Sequence, residues 1–138
     1  MKHLLIILSL LFLSSPVIGQ ETGILYQYET SSGIQWKTSG DSFFQPQYKG
    51  EISNGKPDGL GILYNEVYLK RFYFSPKVKF IGEWKNGEIH GQGTLTLSSG
   101  MKKIGEFRRG FPWNTTSYDK NRNILGMWVN GNYTEVTP

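Results

Sequence analysis

The sequence predicts an all-β fold of consecutive β-hairpins, and three observations carry the prediction. The first is composition: 138 residues include 17 glycines, 8 Phe, 8 Tyr and 4 Trp, a balance that favours strands and tight turns over helices. The second is an eight-residue pattern that returns along the chain. The third is the Asn-Gly pair that closes most copies, the strongest short signal for a two-residue hairpin turn.

Residues 1–19 read as an export signal. Lys2 and His3 precede an apolar run from Leu4 to Leu13, broken only by Ser9. Ser14, Ser15 and Pro16 end the run, and Gly19 supplies a small residue before a cut that leaves Gln20 first. Charge, short apolar core, breaker and small residue is the order of a secretory signal peptide, and the run is half the length of a membrane span. The expected location is periplasmic or extracellular. The remaining 119 residues suffice for one compact domain. They carry 14 basic and 11 acidic residues, a net +3 too mild to call for nucleic acid as partner. The chain has no cysteine, which excludes disulfides, thiolate metal sites and cysteine nucleophiles.

Residues 20–47 form a divergent N-terminal cap or degraded repeat. Gly23-Ile24-Leu25-Tyr26 echoes Gly61-Ile62-Leu63-Tyr64, and Ile34-Gln35-Trp36-Lys37 echoes Gly82-Glu83-Trp84-Lys85 without the glycine. Its expected place is over the open edge of the first repeat strand. The repeat domain proper spans residues 48–138. Its copies are Tyr48 to Gly55, Phe80 to Gly87, Lys103 to Gly110 and, more faintly, Ile124 to Gly131. Aligned Gly50, Gly82, Gly105 and Gly126 show a wide first gap, which places an insert near residues 65–79. Within a copy, Phe80, Gly82 and Trp84 share one face of a strand, while Ile81, Glu83 and Lys85 take the other. Glycines facing the same way as aromatic rings leave room for rings to lie over the backbone. One such hairpin is marginal alone, so neighbours must complete its apolar surface. The tail from Gly131 offers a short last strand.

The copies resemble the membrane occupation and recognition nexus (MORN) repeat, Y-x-G-E-[WF]-x-[ND]-G-x-x-x-G-x-G. Tyr48 to Gly61 and Phe80 to Gly93 match it almost throughout. Lys103 to Gly110 matches the first half, with Asn114 and Thr116 where glycines are expected, and the fourth copy has Met127 in place of the glutamate. The resemblance implies one elongated, twisted antiparallel sheet. It also implies a module for association, since such arrays serve as lipid-binding, dimerising, scaffold and substrate-positioning units.

Candidate chemistry is sparse. Glu51, Glu83 and Glu106 hold one repeat position and form a row. As a glycosidase pair, Glu83 and Glu106 would act on envelope polysaccharide, but nothing gives one carboxylate a different environment from the next, as division into acid and base requires. His90 is the single histidine after residue 19; it reads as a turn residue, and a lone histidine makes no histidine-rich metal site. No P-loop or dinucleotide fingerprint is present. No metal, cofactor or catalytic residue is expected. The insert interleaves rings and charge, with Lys70, Arg71, Phe72, Tyr73, Phe74, Lys77 and Lys79, the composition of a surface for anionic lipid or of an edge guarded against aggregation. Asn114 and Asn132 each open an N-glycosylation acceptor pattern. The function expected is an exported, non-catalytic association module. It binds a protein partner or a second copy along an aromatic groove of Tyr48, Trp84, Phe107 and Trp128, with lipid binding through the insert as the alternative.

Overall fold

The structure is a computed structural model that describes residues 21–65 and 77–136. Every regular element among them is a strand: β1 (Glu21–Thr30), β2 (Gly33–Lys37), β3 (Gln47–Ser53), β4 (Lys56–Asn65), β5 (Val78–Lys85), β6 (Glu88–Thr96), β7 (Lys102–Arg108), β8 (Phe111–Tyr118), β9 (Ile124–Val129) and β10 (Asn132–Glu135). They form one antiparallel sheet in the order β10-β9-β8-β7-β6-β5-β4-β3-β1-β2. From β3 to β10 each strand pairs with the next in sequence, as a chain of hairpins must. The predicted signal segment, residues 1–19, lies outside the described residues.

The turns follow the sequence. Asn54-Gly55, Asn86-Gly87, Arg109-Gly110 and Asn130-Gly131 all have positive φ at both positions, 51° and 72° in the first, the pair of left-handed residues that lets a two-residue loop match strand twist. Arg109 keeps this conformation without the asparagine side chain that eases it.

A glycine line crosses the sheet. Gly23 faces Gly50, Gly50 faces Gly61, Gly61 faces Gly82, Gly82 faces Gly93 and Gly93 faces Gly105. Rings lie over this line. A Cβ on Gly61 would overlap the Tyr48 ring, and one on Gly93 the Phe80 ring. The core is therefore one-sided. Leu25, Tyr48, Phe80, Trp84 and Phe107 are buried, with Trp36, Ile52, Leu63, Ile89 and Leu95 packed against them. Tyr48, Trp84, Phe80 and Phe107 meet edge to face in series, with ring centroids 5.1, 5.7 and 5.2 Å apart, the geometry that aligns positive ring edges with negative faces.

Two regions depart from a simple repeat. In the N-terminal unit the strand order is permuted. β1 pairs with β3 through Glu21–Tyr26 and with β2 through Tyr26–Thr30. Its Gly23 faces Gly50 from one side as Gly61 does from the other. The returning-type strand thus comes first in sequence and the tryptophan strand second. The hairpin also curls over the aromatic side, because Trp36 on β2 packs 5.9 Å from both Tyr48 and Trp84 although β5 is four places away in the sheet order.

The third unit shifts register. In the first two, three residues of the returning strand oppose the glutamate and include a positive-φ glycine, Gly59 or Gly91. In the third, Glu106 faces Asn114 directly and Phe107 faces Pro112. One bulge residue fewer brings Thr115, not Thr116, opposite Gly105.

Candidate functional site

The repeat glutamates are anchored in the sheet. Glu51 Oε2 accepts the Leu60 N–H and Glu83 Oε2 the Gln92 N–H, groups that the bulge removes from the strand ladder. Where the bulge is one residue shorter, Glu106 accepts instead from the Asn114 side-chain amide at 3.0 Å and from Arg108 Nε at 2.8 Å. Those two hydrogen bonds hold its carboxyl below the usual glutamate range. β6 lies between Glu83 on β5 and Glu106 on β7, and each carboxylate serves its own hairpin. Glu51 and Glu83 close bulges, and Glu106 ties its hairpin through side chains.

The position occupied by Asp58, His90 and Asn114 has one role in all three units. Asp58 Oδ2 accepts the Asn86 N–H at 3.0 Å, His90 Nδ1 the Arg109 N–H at 3.4 Å and Asn114 Oδ1 the Asn130 N–H at 2.9 Å. Beside them Gly87, Gly110 and Gly131 donate to the carbonyls of Pro57, Ile89 and Trp113 at 2.8–2.9 Å. Each turn is thus fastened to the preceding unit's returning strand. Asp58, Glu83, Trp84 and His90 line an open groove of about 460 Å³ at this end of the sheet; Asp58 and His90 serve the turn fastening there, and Glu83 its own bulge. The Asn114 amide, an acceptor in the glycosylation pattern, is held by Glu106; Asn132 lies exposed on β10.

The four aromatics of the expected groove differ in environment. Tyr48, Trp84 and Phe107 are 0, 5 and 1% exposed. They are core residues whose surfaces are already covered, in part by Trp36. Tyr48 donates its hydroxyl proton to the Glu51 carbonyl at 2.6 Å. Burial, with Glu51 and Asp58 nearby, pushes its phenol above the ordinary tyrosine value. Trp128 is half-buried. Its ring lies 5.4 Å from that of Tyr133, which is 47% exposed and crosses Gly126 as Tyr48 crosses Gly61. Lys103, standing where the first two copies have a ring, Tyr48 and Phe80, places its ammonium 5.4 Å from the Trp128 ring centroid, a cation–π contact in place of a ring pair. The uncovered end of the aromatic side is therefore Trp128 and Tyr133.

The basic-aromatic insert is divided. Lys70, Arg71, Phe72, Tyr73 and Phe74 lie outside the described residues. Lys77 is exposed, and Lys79 on β5 points away from the aromatic core with its Nζ 5.4 Å from the Tyr64 ring centroid. Sequence reasoning missed Trp36 as a cover for the core and the shared role of Asp58, His90 and Asn114. The Asp58–His90 alignment was a usable signal for the latter; the shortened bulge hid Asn114 from it.

The family model for the MORN repeat matches residues 48–65 and 80–102. No curated protein matches the chain.

Proposed function

Because this chain is a MORN-repeat protein, we propose that it is a non-catalytic association module that engages a protein partner at the C-terminal end of its aromatic side. The observation that carries this reading is the contrast between the two ends of that side. The N-terminal end is filled by the chain's own Trp36. At the other end Trp128 is half-buried and Tyr133 exposed, an amphipathic, rigid ring pair of the kind that anchors interfaces. Each repeat glutamate is tied by hydrogen bonds into its own hairpin, which supports binding over hydrolysis. Export, inferred from residues 1–19, would put this contact in the periplasm or outside the cell.

A photo-crosslinking residue at Tyr133, compared with one at exposed Lys120, tests the reading in the native host. We expect a discrete protein adduct at position 133, absent at 120 and lost when Trp128→Ala is added. Identical adducts at both positions, or none at 133, would rule the site out.

A further inference from the structure

The side of the sheet opposite the aromatic core carries one charge order twice. β5 points Lys79, Ile81 and Glu83 to that side, and β7 points Lys102, Ile104 and Glu106. Register aligns the two strands: Lys79 and Lys102 both face Thr96, and Ile81 and Ile104 both face Thr94. The apolar line runs on through Ile62 on one flank and Thr116 and Met127 on the other. Ile104 and Met127 are 44 and 43% exposed. Lysines border this line on one side and carboxylates on the other.

We infer that this side pairs with the same side of a second copy, about a two-fold axis lying along the apolar line. Rotation about that axis lays apolar line on apolar line and exchanges its borders. Lys79 and Lys102 of one copy then stand over Glu83 and Glu106 of the other. A two-fold axis along the strands would instead stack lysine on lysine and carboxylate on carboxylate, which repel. Charge complementarity therefore selects one of the two face-to-face arrangements. The principal ion pair joins Lys79 to Glu83, both solvent-exposed in the single chain, because Glu106 is shared with Arg108. At the usual strand spacing, six strands each five residues long present roughly 480 Å² per copy. The total, roughly 950 Å², exceeds most lattice contacts and lies at the small end of specific interfaces, where weak, reversible pairs fall. Facing sheets sit about 10 Å apart, a gap that lysine and glutamate side chains together bridge. This surface is separate from the Trp128–Tyr133 end, so the two proposals stand or fall independently.

Sedimentation equilibrium of the purified protein tests the inference, using the wild type, Lys79→Glu/Lys102→Glu, Ile104→Lys and Trp128→Ala. All three substituted positions on the proposed interface are exposed, and matching thermal melts establish that each variant remains folded. The expected result is a reversible dimer whose dissociation constant rises at least about 30-fold in the lysine-reversal variant and in Ile104→Lys. Trp128→Ala should leave it unchanged. A wild type that stays monomeric to about 100 μM, a lysine-reversal variant that dimerises as well as wild type, or a dimer lost only in Trp128→Ala would each overturn it.

Discussion

Glycine does two different jobs in this chain, and substitution separates them. Gly93 has no left-handed requirement; it is needed because the Phe80 ring occupies the space of a Cβ, with the Ile81 carbonyl oxygen 3.0 Å away on the other side. Phe80 is fully buried and cannot swing out without opening the core. Gly55 has φ +72° and open space around it. Gly93→Ala should therefore destabilise the fold by about 2–3 kcal/mol through overpacking, against about 1 kcal/mol at Gly55 for left-handed backbone alone. Urea denaturation of the two variants measures the difference. Equal losses would mean that the ring is not held over the glycine line.

At the level of the hairpin, the third unit shows how a repeat survives losing part of its pattern. Glu51 and Glu83 bind backbone N–H groups, but Glu106 binds the side chains of Asn114 and Arg108. Its carboxyl is held below its ordinary value, first by Asn114 and then by Arg108. A folded-state value lower than the unfolded one means that Glu106 contributes stability above the ordinary carboxylate range. That contribution is lost as pH falls through the lowered value. Glu106→Gln should be less stable than wild type at neutral pH and should lose less stability on acidification, the two curves converging in acid. Thermal melts from pH 7 to pH 3 measure this; parallel curves would sink the assignment. The same unit marks a limit of sequence reading. Strand type, turn position and the alternation of Phe80, Gly82 and Trp84 were legible, because side-chain period and Asn-Gly chemistry are local. The register at Thr115 was not, since Asn114 and Thr116 in place of glycines marked a departure there without fixing the length of the bulge. Nor was the burial of Tyr48, Trp84 and Phe107: the pattern put rings on one side, but only the folding back of Trp36 on a permuted hairpin determined what covers them.

For the molecule as a whole, a single sheet in which each unit is fastened chiefly to its neighbours should unfold from its ends inward, because its stability is nearly a sum of nearest-neighbour terms. The two ends are not equivalent. At the N-terminal end Leu25 on β1 is 1% exposed, and Trp36 clamps the hairpin onto rings contributed by β3 and β5. At the C-terminal end all four residues of β10 are exposed, and the strand rests on β9 alone. Native-state hydrogen exchange should accordingly find the slowest amides in β4 to β6, with β1 exchanging at least about tenfold more slowly than β10. Trp36→Ala should erase most of the advantage of β1 while leaving β10 unchanged. Were β1 and β10 to exchange alike in the wild type, Trp36 would be a surface ring lying on the core without holding it. The asymmetry also bears on association, because the loosely held end carries Trp128 and Tyr133, where a bound partner would supply the cover that Trp36 gives the other end. Partner binding should then slow exchange in β9 and β10 more than anywhere else in the sheet.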